Sequence, residues 1–238
     1  MRILSRKDIE MIAERVVTQY KALPEITNSQ IYHVDPVLLA ERVYGFSVEY
    51  EHLSVDGRAL GVTSYQEAPA KIWADDGSPG YYILDGKTIL IEKDLKDDVS
   101  RLGQHNFTVG HETAHQILSL LYPGDYTVKV RKERLLYYRA ESEKRGPVRD
   151  WEEWQANALA SSILLPPDLV SRCMYLFGLP DKMRWLNRIY GLKEYEQFTN
   201  MAQFLGVSRK AMAIRMEQLG VLEKDYLDDP EALIRVEM

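Results

Sequence analysis

Cysteine is almost missing from this chain. Cys173 is the single one in 238 residues, which excludes an intramolecular disulfide framework. It sits in the apolar run Cys173-Met174-Tyr175-Leu176-Phe177 and reads as a small buried hydrophobe, not as a nucleophile or ligand. Long hydrophobic runs are missing too. The start, MRILSRKDIEMIAERVV, is broken by charges every few positions and offers no apolar signal core. No stretch reaches the roughly 18 uninterrupted apolar residues of a membrane span. The expectation is a soluble, cytoplasmic protein without a membrane partner. An excess of positive charge is also lacking: the net charge is −6, which speaks against binding phosphate backbones over the whole surface. Internal repeats, low-complexity tracts and Gly/Ser linkers are not found.

What remains is an ordinary globular balance, 45% hydrophobic and 28% charged, enough for one large domain with a smaller appendage. Ile9, Ile12, Val16 and Tyr20 recur at helical spacing and predict an amphipathic helix over 6–22. A second helix is expected over 36–44, with Asp35 as N-cap, Pro36 in the first turn and Gly45 at the end. From 46 to 92 the pattern turns to β. Two apolar runs, Tyr81–Leu84 and Lys87–Ile91, flank Asp85-Gly86 and predict a tight hairpin. Helices are expected over 104–122, over 151–165 up to Pro166-Pro167, and as a pair around Gly206-Val207-Ser208 within 199–222. The fold class is therefore α+β, a small twisted, mostly antiparallel sheet with helices. A domain over 1–178 is expected, followed by a C-terminal helical region over 179–238.

The chemistry concentrates in His111-Glu112-Thr113-Ala114-His115. On a helix, residues i and i+4 share a face, so both imidazoles can turn towards one metal ion. Glu112 can then reach a water molecule as general base without ligating the metal, the arrangement of zinc peptidases. With five histidines such a pentapeptide arises by chance in on the order of one chain in a few hundred, so the surroundings must decide. Both flanks are apolar, and ionisable side chains on a buried helix need partners that a metal would supply. A catalytic zinc requires a third protein ligand. The next strongly apolar helix begins Trp151-Glu152-Glu153-Trp154-Gln155-Ala156-Asn157, where Glu153 and Asn157 share a face. Glu153 is the candidate ligand. Asn157 is the candidate acceptor that fixes the tautomer of a ligand His. Glu152 reads as an N-terminal acid favoured by the helix dipole.

The segments FTVGHETAHQIL, EWQANALASSILLP and AQFLGVSRKAMAIRMEQLG together resemble the ImmA/IrrE family of metallopeptidases, from the N-terminal helix to about residue 222. The resemblance implies a zincin-like fold, one zinc ion on His111, His115 and Glu153, and Glu112 as base. It also implies a specific protein substrate, such as a helix-turn-helix transcriptional regulator. The chain departs from the family at Thr113-Ala114, where Leu-Gly is usual, at Asn106, where a basic residue often stands, and in a long basic segment.

Several readings stay open. Tyr137, Tyr138 and His105 are candidates for stabilising an oxyanion. The Lys87–Glu92 strand is a candidate for pairing with an extended substrate. Residues 127–150 carry eight basic residues against four acidic ones, either a solvated loop or a face for an acidic partner. The helix pair at 199–222, with Arg209, Lys210 and Arg215, has the length of a helix-turn-helix. Its apolar positions Met201, Phe204, Leu205, Met212, Ile214 and Met216 favour packing over direct DNA binding. A competing reading of the whole chain is a zinc-stabilised, non-catalytic module that sequesters a regulator or binds DNA.

Overall fold

A computed structural model describes residues 2–27, 33–126, 136–139 and 151–234. Six strands and eight α-helices occur among these residues, so the class is α+β. The described residues form two compact units, one ending at Leu164 and the other made of His33 and Val34 with the residues from Leu165 onward. The partition therefore falls ahead of the boundary at 178 read from the sequence.

In the first unit, α1 spans Arg6–Lys21 and opens with a capping box between Ser5 and Asp8. This reciprocal bonding satisfies backbone donors that the first turn cannot satisfy itself. Asp35 caps α2, Pro36–Leu38, which continues as wider turns through Val43 to Gly45 at φ 68°. The strands are β1 (Ser47–Glu51), β2 (Ala59–Thr63), β3 (Glu67–Trp73), β4 (Pro79–Asp85), β5 (Thr88–Glu92) and β6 (Leu136–Arg139). Four of them form a mixed sheet in the order β1-β5-β2-β6, with β1 and β5 parallel and the other pairs antiparallel. β3 and β4 form a separate two-stranded sheet.

The hairpin expected at Asp85-Gly86 is not there. β4 pairs with β3, from Glu67↔Asp85 to Trp73↔Pro79, and the tight turn lies at Ala74–Ser78, with Gly77 at φ 79°. Asp85-Gly86 instead passes the chain from one sheet to the other. Asp85 Oδ1 accepts from the amides of Lys87 and Thr88, each at 2.8 Å, and Gly86 takes φ 81°. Both sites contain Asp-Gly, and burial separates the strands they join. β4 is largely exposed on alternate residues, whereas all five residues of β5 are buried. Ile89 and Ile91 pack with Val109 and Leu60 on one face of the sheet, and Leu90 packs with Ala70 and Leu84 on the other. A strand covered on both faces reads as a continuous apolar run. β5 also has β1 and β2 on its two sides. It is an interior strand with no free edge, which removes it as the docking strand for a substrate.

Helix α3, Leu102–Leu121, lies against β2 and β5, and α5, Trp151–Leu164, packs against α3 and α1. Between β6 and α5, residues 140–150 lie outside the described part, as do 127–135. The basic segment is thus represented only by Arg139 and its strand.

The second unit contains α6 (Pro167–Leu176), α7 (Leu192–Phe204) and α8 (Arg209–Gln218). Gly206 at φ 63° and the Ser208 cap on the Ala211 amide make the α7–α8 turn. Met201, Leu205, Met212 and Met216 are buried, while Phe204 and Ile214 are exposed. Arg215, one of the three cations noted in the helix pair, is 1% exposed, and its Nε donates to Leu165 O at 2.9 Å. Lys210 pairs with Asp228 and Asp225, and Arg209 donates to Tyr195 Oη. Cys173 is fully buried, as expected. No helix among the described residues is long and apolar enough to cross a membrane.

One ion pair makes the first unit sensitive to pH. His52 Nδ1 lies 2.8 Å from buried Glu92 Oε1, whose Oε2 accepts from the Leu53 amide. The hydrogen bond to Glu92 raises the His52 pKa above its ordinary 6.5. A raised histidine contributes stability that is complete below about 6.5 and is lost as pH climbs through the folded value. Urea unfolding between about pH 6 and 9 should show this loss in the native chain and a flatter profile in His52→Gln.

Candidate metal centre

The site is built where α3 and α5 touch. Small residues allow a close approach: Ala114, Ala156 and Ala160 are fully buried, and a Cβ at Gly110 would stand 3.3 Å from Leu164 Cδ1. This contact brings His111 and His115, one turn apart on α3, to Glu153 in the first turn of α5. His111 Nε2 and His115 Nε2 are 3.0 Å apart. Glu153 Oε2 is 3.3 Å from the first and Oε1 is 3.5 Å from the second. Donors around a tetrahedral zinc at about 2.0–2.1 Å stand roughly 3.3–3.4 Å from one another. The three residues match that triangle and that donor chemistry, and they can hold a metal ion. Both imidazoles are 1% exposed or less, while the Glu153 side chain is 30% exposed, which marks the open side.

The electrostatics follow from burial and proximity. Burial lowers the His111 pKa to about 4, and the neighbouring His115 adds to the effect. His111 is therefore neutral near pH 7, with a lone pair to offer. Burial by itself would raise the Glu153 pKa, but hydrogen bonds with the two imidazoles pull it below the usual carboxylate range. Glu153 is thus a carboxylate facing two imidazole nitrogens. Asn157 stands one turn further along α5, with its Oδ1 3.1 Å from His111 Nδ1.

Glu112 differs from these three. It is fully buried, and neither carboxyl oxygen has a hydrogen-bond partner among the described residues. Burial, helped by the negative charge of Glu153, pushes its pKa well above the ordinary range. Its neighbour is the backbone of β2. A register shift between Ala59 and Gly61 turns both Leu60 and Gly61 towards α3. A Cβ on Gly61 would meet Glu112 Oε1 at 2.7 Å and Thr108 Cγ2 at 2.8 Å. Glycine here is a matter of space. The arrangement sets a buried carboxyl group beside a set of candidate metal donors, which is suited to moving a proton beside a Lewis acid.

Several residues around the site carried no signal in the sequence. Gln116 is buried and donates to Thr63 Oγ1 and Ser64 O, fastening the end of β2 to α3. Gln155 is buried, and its Oε1 accepts from the Leu4 amide. Glu152, read as a dipole-favoured acid without a partner, accepts a hydrogen bond from Tyr65 Oη at 2.7 Å. His105 has its ring nitrogens at Tyr50 Oη and Asn106 Oδ1, and its ring stacks on Tyr50. It is thus engaged away from the role of oxyanion donor. Tyr137 and Tyr138 pair through β6 with Val62 and Gly61, and their side chains lie outside the described part.

A second grouping, His52 with Glu92 and Asp94, also has metal-compatible donors. There the Glu92 oxygens are taken by His52 and the Leu53 amide, and the Asp94 side chain is 67% exposed. Compared with the models of known protein families and with the curated proteins, the chain matches none.

Replacing Gly61 with alanine tests the close approach of β2. Overpacking at a filled site costs about 1–3 kcal/mol. Urea unfolding of Gly61→Ala should show a loss of that size, against a negligible one for Gly124→Ala, where a Cβ meets nothing within 4 Å.

Proposed function

We propose that the chain is a zinc-dependent endopeptidase with a zincin-like catalytic unit, in which His111, His115 and Glu153 hold one zinc ion and Glu112 is the catalytic base. The observation that carries this reading is the convergence of the two Nε2 atoms and the Glu153 carboxylate beside a buried carboxyl group that meets no hydrogen-bond partner among the described residues. When bound, zinc acidifies water and polarises a scissile carbonyl. The residues supply the rest. Glu112 takes a proton from the attacking water on its free Oε atoms and returns it to the departing amine. Asn157 orients His111, and the β2 backbone at Gly61 leaves Glu112 room but no competing hydrogen bond.

A purely structural zinc site gives no reason to bury a bare carboxyl group beside the ligands. Orphaned polar groups are costly, and they collect at sites of chemistry. This favours catalysis over a sequestering module. The substrate is a specific protein, with a helix-turn-helix transcriptional regulator as the first candidate. That part of the reading rests on the resemblance of the three sequence segments to ImmA/IrrE metallopeptidases. Direct DNA binding is not part of it, because Arg209, Lys210 and Arg215 are all engaged within their own unit.

Glu112→Gln separates the possibilities. Metal analysis should find zinc retained at one ion per chain. Hydrolysis of a mixed peptide library, read by mass spectrometry, should fall by about 10²–10⁴-fold. Cleavage equal to the native chain would discard Glu112 as the base. Zinc bound without cleavage by the native chain would leave the sequestering module.

A further inference from the structure

Each imidazole of the site directs Nε2 to the point of convergence, so the group met by Nδ1 decides which nitrogen carries the proton. For His111 the answer is simple. Asn157 Oδ1, 3.1 Å from His111 Nδ1, can only accept, so Nδ1 is protonated and the Nε2 lone pair is free. His115 Nδ1 instead faces the phenol oxygen of Tyr65 at 3.3 Å. A hydroxyl both donates and accepts, and alone it would leave the tautomer open. Glu152 closes the question. Tyr65 Oη donates to Glu152 Oε1 at 2.7 Å. With the phenol proton committed to the carboxylate, the oxygen can only accept from His115 Nδ1–H.

We propose that Tyr65 and Glu152 act as a positioning pair for His115, holding its ring with Nδ1 protonated and Nε2 turned to the metal. The proposal rests on the zinc reading above. The pair is held in place from both ends. Gln116, the residue after His115, donates to Thr63 Oγ1 and Ser64 O, and the Ser64 hydroxyl donates to Gln66 O. Tyr65 directly follows two residues fastened to the same helix that carries its target, and the Ser64 bond to Gln66 closes the turn around it. Glu152 precedes Glu153, so the first turn of α5 supplies both a metal ligand and the anchor for the tyrosine.

The test is zinc affinity, measured on the full chain by competition with a chromogenic chelator, so it needs no substrate. Tyr65→Phe keeps the ring and removes the bridge. Glu152→Ala removes the anchor. Each should weaken zinc binding by about 10–100-fold. Glu152→Gln still offers an oxygen to the phenol and should stay close to the native chain. The double variant Tyr65→Phe/Glu152→Ala should be no weaker than the weaker single, because both act through one contact. Far-UV circular dichroism of the metal-free forms checks that each variant is folded. Native-like zinc affinity in folded Tyr65→Phe and Glu152→Ala overturns the proposal. So does equal weakening by Glu152→Gln and Glu152→Ala. Failure of the underlying reading shows in the native chain itself, which would then bind no zinc, and that result overturns both.

Discussion

Ionisable side chains can share a dry interior only if they settle one another's charge and hydrogen bonds. His111, His115 and Glu153 do so among themselves, within 3.0–3.5 Å. Glu112 does not, and nearly everything around it is arranged to permit that. Small residues along α3 and α5 let the helices come close enough for the three donors to meet. The irregular register of β2 presents a residue without a side chain to Glu112. Gln116 and Gln155 fasten the neighbouring backbone with buried side-chain amides. The polar groups of the centre are therefore fixed by contacts made from β2, the N-terminal stretch and the first turn of α5, more than by α3 alone.

The sequence discloses the donors better than their supports. His111, His115, Glu153 and Asn157 could be found because helical spacing is short-range: residues four apart share a face whatever the rest of the chain does. Helix ends were legible for the same reason, as with Asp35, Gly45 and Ser208. Long-range contacts leave no such mark. Tyr65 looks like any tyrosine after a strand, and Gly61 like any glycine inside one, until α3 is laid across them. Glu152 and Glu153 are adjacent and chemically identical, and only the partner each meets distinguishes them.

The strand order shows a different limit. Asp-Gly occurs at 56–57, 76–77 and 85–86, and a turn signal does not say which strands it will join. The choice is made by burial. β5 has apolar packing on both faces and neighbours on both edges, so it was drawn into the sheet centre and away from β4. In the C-terminal unit, similarly, burial separates one cation of the helix pair from the other two, Arg209 and Lys210, which are exposed. Arg215 is among the largest fully buried side chains, and a charge inside a fold answers to carbonyls, not to solvent.

The central place of β5 has a kinetic consequence. Its parallel partner β1 and its antiparallel partner β2 both precede it in the chain, and the β3–β4 sheet lies between. β1 and β2 do not pair with each other; both pair with a strand that begins 41 residues after the start of β1 and 29 after the start of β2. Such ordering makes loop closure the slow event, as is general for non-local pairings. The glycine of β2 rests on the carboxyl group of α3 through that same sheet, so the surroundings of Glu112 depend on these non-local pairings.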